Sequence, residues 1–278
     1  MEYPLCHGSP TTIIPRNNVL LENVIYVKEQ GVAHIILNRP YAANALNKAM
    51  MREIVVVLDD IEEDDDISVV IVAGAGEKCF CAGLDIKEVL PDSPLETFKT
   101  SRLGHRVFDR IELFDKPILA AIHGYAFGGG LELAMACHIR IAEDRSTFSV
   151  PEGKLGFFVG GGASMRLPRL IGKSKSLEMF FSGKALGAEE ACQIGLVHKV
   201  TSQENLYPMC LQYAANLCGN SIITNMLVIN VLNQSSEIHP QSALLMESLA
   251  AGLVKSSEDC TEGITAFFNK RQPVFTGK

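Results

Sequence analysis

The chain has no long block of Lys and Arg, no Cys-x-x-Cys pair, no Cys/His spacing suited to zinc, and no uninterrupted apolar segment long enough to span a bilayer. Each absence removes a class of function. With 25 Lys+Arg against 32 Asp+Glu and a net charge of −7, a nucleic-acid partner has no electrostatic footprint. The eight cysteines are scattered, Cys79 and Cys81 standing closest with Phe80 between them, which fits reduced core thiols and predicts no metal site. The opening Met-Glu-Tyr-Pro carries Glu2 early and has no cationic patch followed by an apolar run, so no secretory signal is expected. No membrane partner is expected either. These readings predict a soluble protein of a reducing compartment, the cytoplasm, with the mitochondrial matrix as the alternative. There is no low-complexity stretch and no tandem repeat at solenoid periods.

What is present is apolar. At 47% hydrophobic over 278 residues, the chain can bury a sizeable core. Residues 1–21, with Pro4, Gly8, Pro10 and Pro15, read as an irregular leader. Val24–Lys28 and Val32–Leu37 around Gln30-Gly31 read as a hairpin. Helical spacing follows from Asn47 to about Glu63, then a buried strand at Val69–Ala73. A helix from about Pro94 to Phe114, a strand at Pro117–Ile122, a short helix at Leu131–Cys137 and a strand at Ile139–Ala142 repeat the alternation. From about Ser164 the chain is nearly all helical, with a strand at Leu196–Val200. This predicts an α/β core over 22–205 and a helical region over 206–278.

Three segments invite a chemical reading. In Cys79-Phe-Cys-Ala-Gly-Leu-Asp-Ile-Lys87, Gly83 permits a backbone geometry that exposes the N–H of Leu84. In Ile122-His-Gly-Tyr-Ala-Phe-Gly-Gly-Gly-Leu-Glu-Leu-Ala134, three glycines run into a helix start, where a ligand can approach unpaired backbone donors. The spacing is not the dinucleotide-binding Gly-x-Gly-x-x-Gly. Gly172-Lys-Ser also fails as a phosphate loop, because Leu167 stands where a glycine is needed. The third segment, Phe148-Ser-Val-Pro-Glu-Gly-Lys-Leu-Gly156, continues to a second glycine cluster before Ala163. Taken singly, Glu132 reads as a solvated helix carboxylate and Glu152 as a partner of a helix dipole. Together they sit among apolar residues beside glycine runs, a setting that perturbs carboxylate proton affinity.

Phe80-Cys-Ala-Gly-Leu-Asp-Ile-Lys87, His123-Gly-Tyr-Ala-Phe-Gly-Gly-Gly-Leu-Glu132, Phe148-Ser-Val-Pro-Glu152 and Glu262-Gly-Ile-Thr-Ala-Phe-Phe-Asn-Lys-Arg271, in this order, resemble the crotonase superfamily, specifically the enoyl-CoA hydratases, over roughly residues 22–278. The resemblance implies a crotonase (ClpP-like) fold of stacked β-β-α units with a C-terminal helical trimerisation region, assembled as a homotrimer or a dimer of trimers. It implies a hydro-lyase acting on a 2-enoyl-CoA, with coenzyme A entering as part of the substrate and no separate cofactor. The family's oxyanion hole maps onto the N–H groups of Leu84 and Gly129. Removing one such donor typically costs on the order of 3 kcal/mol. The two catalytic carboxylates map onto Glu132, as base, and Glu152, as the acid that completes protonation. Ala82 and the loop Leu84-Asp85-Ile86-Lys87, with Gly129, match the coenzyme A contacts, and Phe267 and Lys270 match positions that reach the coenzyme of a neighbouring subunit.

Departures from the family pattern are specific. His138 stands where the family usually carries Asp, and a structural hydrogen bond is its expected role. Leu84 is bulkier than the common Ala. Phe157-Phe-Val-Gly-Gly-Gly-Ala163 lacks the Pro and the Gly-Thr-Gln of many hydratases, which bears on acyl-chain preference. A Δ3,Δ2-enoyl-CoA isomerase needs only one carboxylate, and a hydrolase or decarboxylase can share the oxyanion hole. A non-catalytic CoA- or RNA-binding relative would be marked by loss of one glutamate, and both are present.

Overall fold

The Gln30-Gly31 turn closes the first hairpin with both residues at positive φ, 50° and 81°, the conformation that matches the right-handed twist of the flanking strands. In the computed structural model, which describes residues 13–16 and 19–278, the hairpin pairs β1 (Val24–Glu29) with β2 (Val32–Leu37) in register Val24↔Leu37 to Glu29↔Val32. Four parallel strands extend it: β3 (Val69–Gly74), β4 (Ile118–Ile122), β6 (Ile139–Glu143) and β9 (Lys199–Thr201), giving the order β1-β2-β3-β4-β6-β9. A second sheet joins β5 (Tyr125–Phe127), β7 (Thr147–Ser149) and β8 (Leu186–Gly187). Most of residues 1–21, including Glu2, Pro4, Gly8, Pro10 and Cys6, lie outside the described residues.

The central parallel strands β3 and β4 are buried on both faces, so they read as continuous apolar runs. Along β3, Val70 and Val72 enter one core, while Val69, Ile71 and Ala73 enter the other, the two-residue alternation of a strand. On the first face lies α1 (Lys48–Glu62), capped by the Asn47 side chain, which accepts from the Met50 N–H at 2.7 Å. Next to it lies α3 (Pro94–Glu112), opened by a Ser93/Glu96 capping box with Pro94 in its first turn. Between these helices in sequence, α2 (Ile86–Val89) is a single turn. On the second face α8 (Leu206–Cys218) buries Leu206, Tyr207, Cys210 and Ala214.

The helix read at Leu131–Cys137 is α4 (Gly129–Ala136), starting two residues earlier. Gly129 and Gly130 are helical residues chosen for close packing: a Cβ on Gly130 would run into the Cys81 carbonyl. After α5 (Ala163–Ile171), α6 (Lys173–Ser182) and α7 (Ala188–Gln193), the strand read at Leu196–Val200 forms instead at Lys199–Thr201. Leu196 and Val197 are taken by the end of α7, both donating to the Ala191 carbonyl, at 2.9 and 3.1 Å. The chain closes with α9 (Ile222–Ser235), α10 (Pro240–Lys255) and α11 (Glu258–Phe268). Neither α9 nor α10 buries a residue fully. Among the described residues no single helix is long and apolar enough to cross a membrane; one bent pair, Gln203–Cys218 with Ile222–Ser235, passes by length and composition only.

Candidate active site

Parallel strands deliver their following loops to one side of a sheet, and the loops after β3 and after β4 meet there. The first is stitched along its length: Ala82 donates to Ala43, Leu46 to Gly83, and Asp85 to Leu46. Cys81 donates to Tyr125 and accepts from Phe127. Gly83, at φ 109°, turns the chain so tightly that a Cβ there would stand 2.9 Å from the Phe127 carbonyl oxygen and 3.3 Å from the Gly129 nitrogen. A Cβ on Gly129 would in turn stand 3.2 Å from the Leu84 nitrogen.

The two nitrogens are therefore neighbours, and no acceptor is paired with either N–H among the described residues. For Gly129 the reason is general, since the first residue of a helix has no intrahelical partner. Gly128, at φ 49°, spends its own N–H on the Ser149 carbonyl at 2.9 Å and so starts α4 with its dipole directed at the same spot.

Glu132 follows one turn into α4 and is buried. Its Oε1 accepts from the Gly161 and Ala163 N–H groups, both at 2.9 Å. Burial pushes its carboxyl above the ordinary range, while those two N–H donors, the Arg166 guanidinium and His105 pull it back. Gly161 is wedged against it: a Cβ there would enter the Phe108 ring and come 2.6 Å from Glu132 Oε2.

Glu152 opens a short 3-10 turn, Glu152–Leu155, that Gly156 ends at φ 70°. Its Oε2 is buried without a hydrogen-bond partner. Burial, with the Glu132 charge adding to it, lifts its pKa to about 7, opposed by its own backbone N–H. The Glu152 side chain presses on Gly128, where a Cβ would stand 2.5 Å from Oε1.

Leu84, Gly129, Glu132 and Glu152 all line one cavity, partly open to solvent, with Ala82 and Ile86 also in its wall. Leu46, Met51, Phe108, Phe157 and Phe158 make its apolar surface. An apolar cleft in which two carboxyls and two free N–H groups converge is suited to stabilising a developing oxyanion and moving protons beside it.

Four of the predicted site residues lie elsewhere. Asp85 faces away: its carboxylate pairs with Arg39 at 2.8 Å and caps α2 by accepting from the Lys87 N–H at 3.2 Å. Lys87 does not line the cavity. Phe267, on α11, is 78% exposed, and Lys270 follows that helix at φ 52°; neither lines the cavity within this one chain. His138 has the structural role read for it. Its Nδ1 accepts from the Ile118 N–H at 2.8 Å and its Nε2 lies 3.1 Å from the Glu112 carbonyl, so the proton sits on Nε2. Burial lowers its pKa to about 4, which keeps that tautomer neutral. Among the described residues, no group of three or more His, Cys, Asp and Glu could hold a metal ion.

Sequence reasoning did not find the donors that hold Glu132, or Arg166 behind them. The glycine run at 160–162 was the available signal, because close approach of backbone to a buried group needs such residues.

Known proteins resemble this chain over most of its length. The family model described as enoyl-CoA hydratase/isomerase matches residues 27–278. A short-chain-enoyl-CoA hydratase of Clostridium acetobutylicum is 40% identical over 252 residues, 91% of this chain and 97% of the relative. A 2,3-dehydroadipyl-CoA hydratase of Escherichia coli is 35% identical over 258 residues, 93% of this chain and 100% of the relative. The crystal structure of an enoyl-CoA hydratase from Bacillus anthracis superposes with a TM-score of 0.90 at 33% identity, covering 92% of this chain and 100% of that one.

Proposed function

Since the chain belongs to the enoyl-CoA hydratase/isomerase family, the crotonase superfamily, we propose that it is an enoyl-CoA hydratase, adding water across the 2,3 double bond of a 2-enoyl-CoA to give a 3-hydroxyacyl-CoA. The observation that carries this reading is the convergence of Glu132 and Glu152 on one cavity beside the free N–H groups of Leu84 and Gly129. An isomerase has use for one of the two carboxyls; hydration uses both.

In the proposed reaction the thioester oxygen accepts from the Leu84 and Gly129 N–H groups, and a water sits between the two carboxyls. Glu132, as carboxylate, takes a proton from the water as its oxygen bonds to C3. The π electrons move onto the thioester oxygen as an enolate, which the two N–H donors stabilise. Glu152, neutral below its raised pKa of about 7, gives its proton to C2 as the enolate collapses. The product gains the elements of one water, its hydroxyl from the water at C3 and its C2 hydrogen from Glu152, and the proton taken up by Glu132 is returned to Glu152 through solvent. The electrophile in this scheme is backbone, so the proposal calls for no metal or redox cofactor.

The test is a panel of CoA thioesters, from crotonyl to long-chain and branched, followed by loss of the conjugated enoyl absorbance with mass spectrometry of the products. A gain of one water supports hydration. A product of unchanged mass with the double bond moved would make the chain an isomerase and overturn the proposal.

Assembly is part of the same reading. Leu244, Leu245, Leu249 and Leu253 on α10 are between 55% and 65% exposed, a surface that a homotrimer, or a dimer of trimers, would cover. Phe267 and Lys270 would then reach the coenzyme of the neighbouring subunit. Deleting the residues after Gly263 should weaken CoA-ester binding as well as assembly. Full activity from a sedimenting monomer at micromolar concentration would refute both parts.

A further inference from the structure

Gly161 is held from both ends. Its N–H donates to Glu132 Oε1 at 2.9 Å, and its carbonyl accepts from Arg166 Nη1, also at 2.9 Å. Arg166 lies on α5, and its side chain is 3% exposed. A guanidinium so deep in the fold needs an acceptor for each N–H it turns inward, and α3 supplies them. Nη2 donates to Asp109 Oδ1 and to Glu112 Oε2, both at 2.6 Å, and Nε donates to the same Glu112 oxygen at 3.0 Å. One planar fork thus ties a carboxylate pair on α3 to the peptide of Gly161. Gly162, at φ 106°, is shaped around it, since a Cβ there would overlap the guanidinium. Ala163, the first residue of α5, adds its orphan N–H to the same Glu132 oxygen.

We propose that Arg166 is a positioning residue for the hydration: anchored by Asp109 and Glu112, it fixes the Gly161 carbonyl, and so the Gly161 and Ala163 N–H groups that aim Glu132 into the cavity. The inference rests on the reading of Glu132 as the base. Arg166 lines no part of the cavity and acts only through the loop. Its charge is a second contribution. The titratable and charged groups facing Glu132 are His105 from α3, Arg166 from α5 and Glu152 across the cavity, and of these Arg166 and His105 favour the carboxylate form.

The test separates grip from charge. Arg166→Gln removes both, and Arg166→Lys keeps the charge but replaces the planar fork with a single ammonium. With folding checked by circular dichroism, both variants should bind crotonyl-CoA with KM within a few-fold of the parent and lose kcat by about 10²-fold, the effect of misplacing a reacting group by an ångström. The acid limb of the kcat profile should move to higher pH in Arg166→Gln, where Glu132 loses its cation, and stay near the parent position in Arg166→Lys. Parent-level kcat in folded Arg166→Gln overturns the proposal. So does a kcat loss matched by a rise in KM with an unmoved pH profile in both variants. If Arg166→Gln does not fold, Glu112→Gln carries the test by loosening the anchor with Arg166 in place; a fall in kcat at constant KM supports positioning, and parent-level kcat overturns it. Glu132→Gln is measured alongside. Parent-level turnover there sinks the hydratase reading itself, whereas a dead Glu132→Gln beside normal Arg166 variants overturns this inference alone.

Discussion

The two sides of the cavity hold their carboxyls in opposite ways. On one side Glu132 rises from an eight-residue helix, with two backbone N–H groups on one oxygen and a buttressing arginine behind them. On the other, Glu152 stands at the head of a four-residue 3-10 turn with one oxygen buried and unpartnered. Burial raises both carboxyls, but at Glu132 two N–H donors, the Arg166 guanidinium and His105 oppose the rise, whereas at Glu152 only its own backbone N–H does. The difference teaches that acid and base roles are set by what the backbone offers each side chain, since the two residues are chemically identical. The pair shares a cavity, and the charge of Glu132 adds to the rise at Glu152, so the assignment rests on these contacts.

The largest effect should come from erasing each carboxyl. Glu132→Gln and Glu152→Gln should each lower kcat by about 10²–10⁴-fold, with binding of a saturated acyl-CoA, measured by calorimetry, retained. Turnover near the parent in either variant would remove that residue from the mechanism.

A smaller loss should follow from disturbing the supports. Gly161→Ala would push a methyl between Phe108 and Glu132, and Gly128→Ala would meet Glu152 at a positive φ of 49°. Each should cut kcat by about 10- to 100-fold through misplacement of its own carboxyl. Gly156→Ala is the control. It also places a side chain at a positive φ, 70° with ψ 15° in the left-handed region, but its Cβ meets nothing within 4 Å, so turnover of the folded enzyme should stay within about two-fold while stability drops by about 1 kcal/mol. A Gly156→Ala variant as slow as Gly128→Ala would mean that a side chain at positive φ near the site, rather than contact with a carboxyl, slows that variant.

These supports also mark the limit of what the sequence discloses. Strand and helix periodicity suffices for β1 to β4, α1 and α3, because each is long enough to repeat its pattern and each buries a full face. It does not reach β5, β7 and β8, which are two or three residues long and owe their pairing to the register of the loops around them. Glu132 and Glu152 stand out because glycine runs flank them. The donors on Glu132 come from residues 29 and 31 positions away, and Arg166 reaches 54 and 57 positions back to its carboxylates. Such contacts depend on two loops folding over each other, and no local spacing encodes them.

A further effect is in the pH dependence of the reaction. With Glu152 acting as an acid whose pKa is about 7, kcat/KM should fall as pH rises through about 7, and an acid limb should appear where Glu132 takes a proton. In Glu152→Gln the residual activity should lose the alkaline limb and keep the acid one. Persistence of the alkaline limb in that variant would assign it to another group.

The smallest effect is on stability, and its sign follows from the same unpartnered oxygen. Folding raises the Glu152 pKa from 4.5 to about 7, so between these values the folded chain binds a proton that the unfolded chain releases. That contribution is fully present below the unfolded value and is lost as pH rises through about 7, where the folded protein must bury a charge. The full shift corresponds to about 3 kcal/mol, and the water-facing part of the turn should screen it to roughly half. Glu152→Gln keeps the shape of the neutral acid and carries no charge at any pH. It should therefore melt a few degrees above the parent at pH 8, and the gap should shrink toward pH 5, where the parent carboxyl is itself neutral. Thermal melts of the two proteins at both pH values decide the matter. A gap that is the same at pH 5 and pH 8 would mean that the Glu152 carboxyl finds a partner for its charge, and the contrast between the two sides of the cavity would then fail.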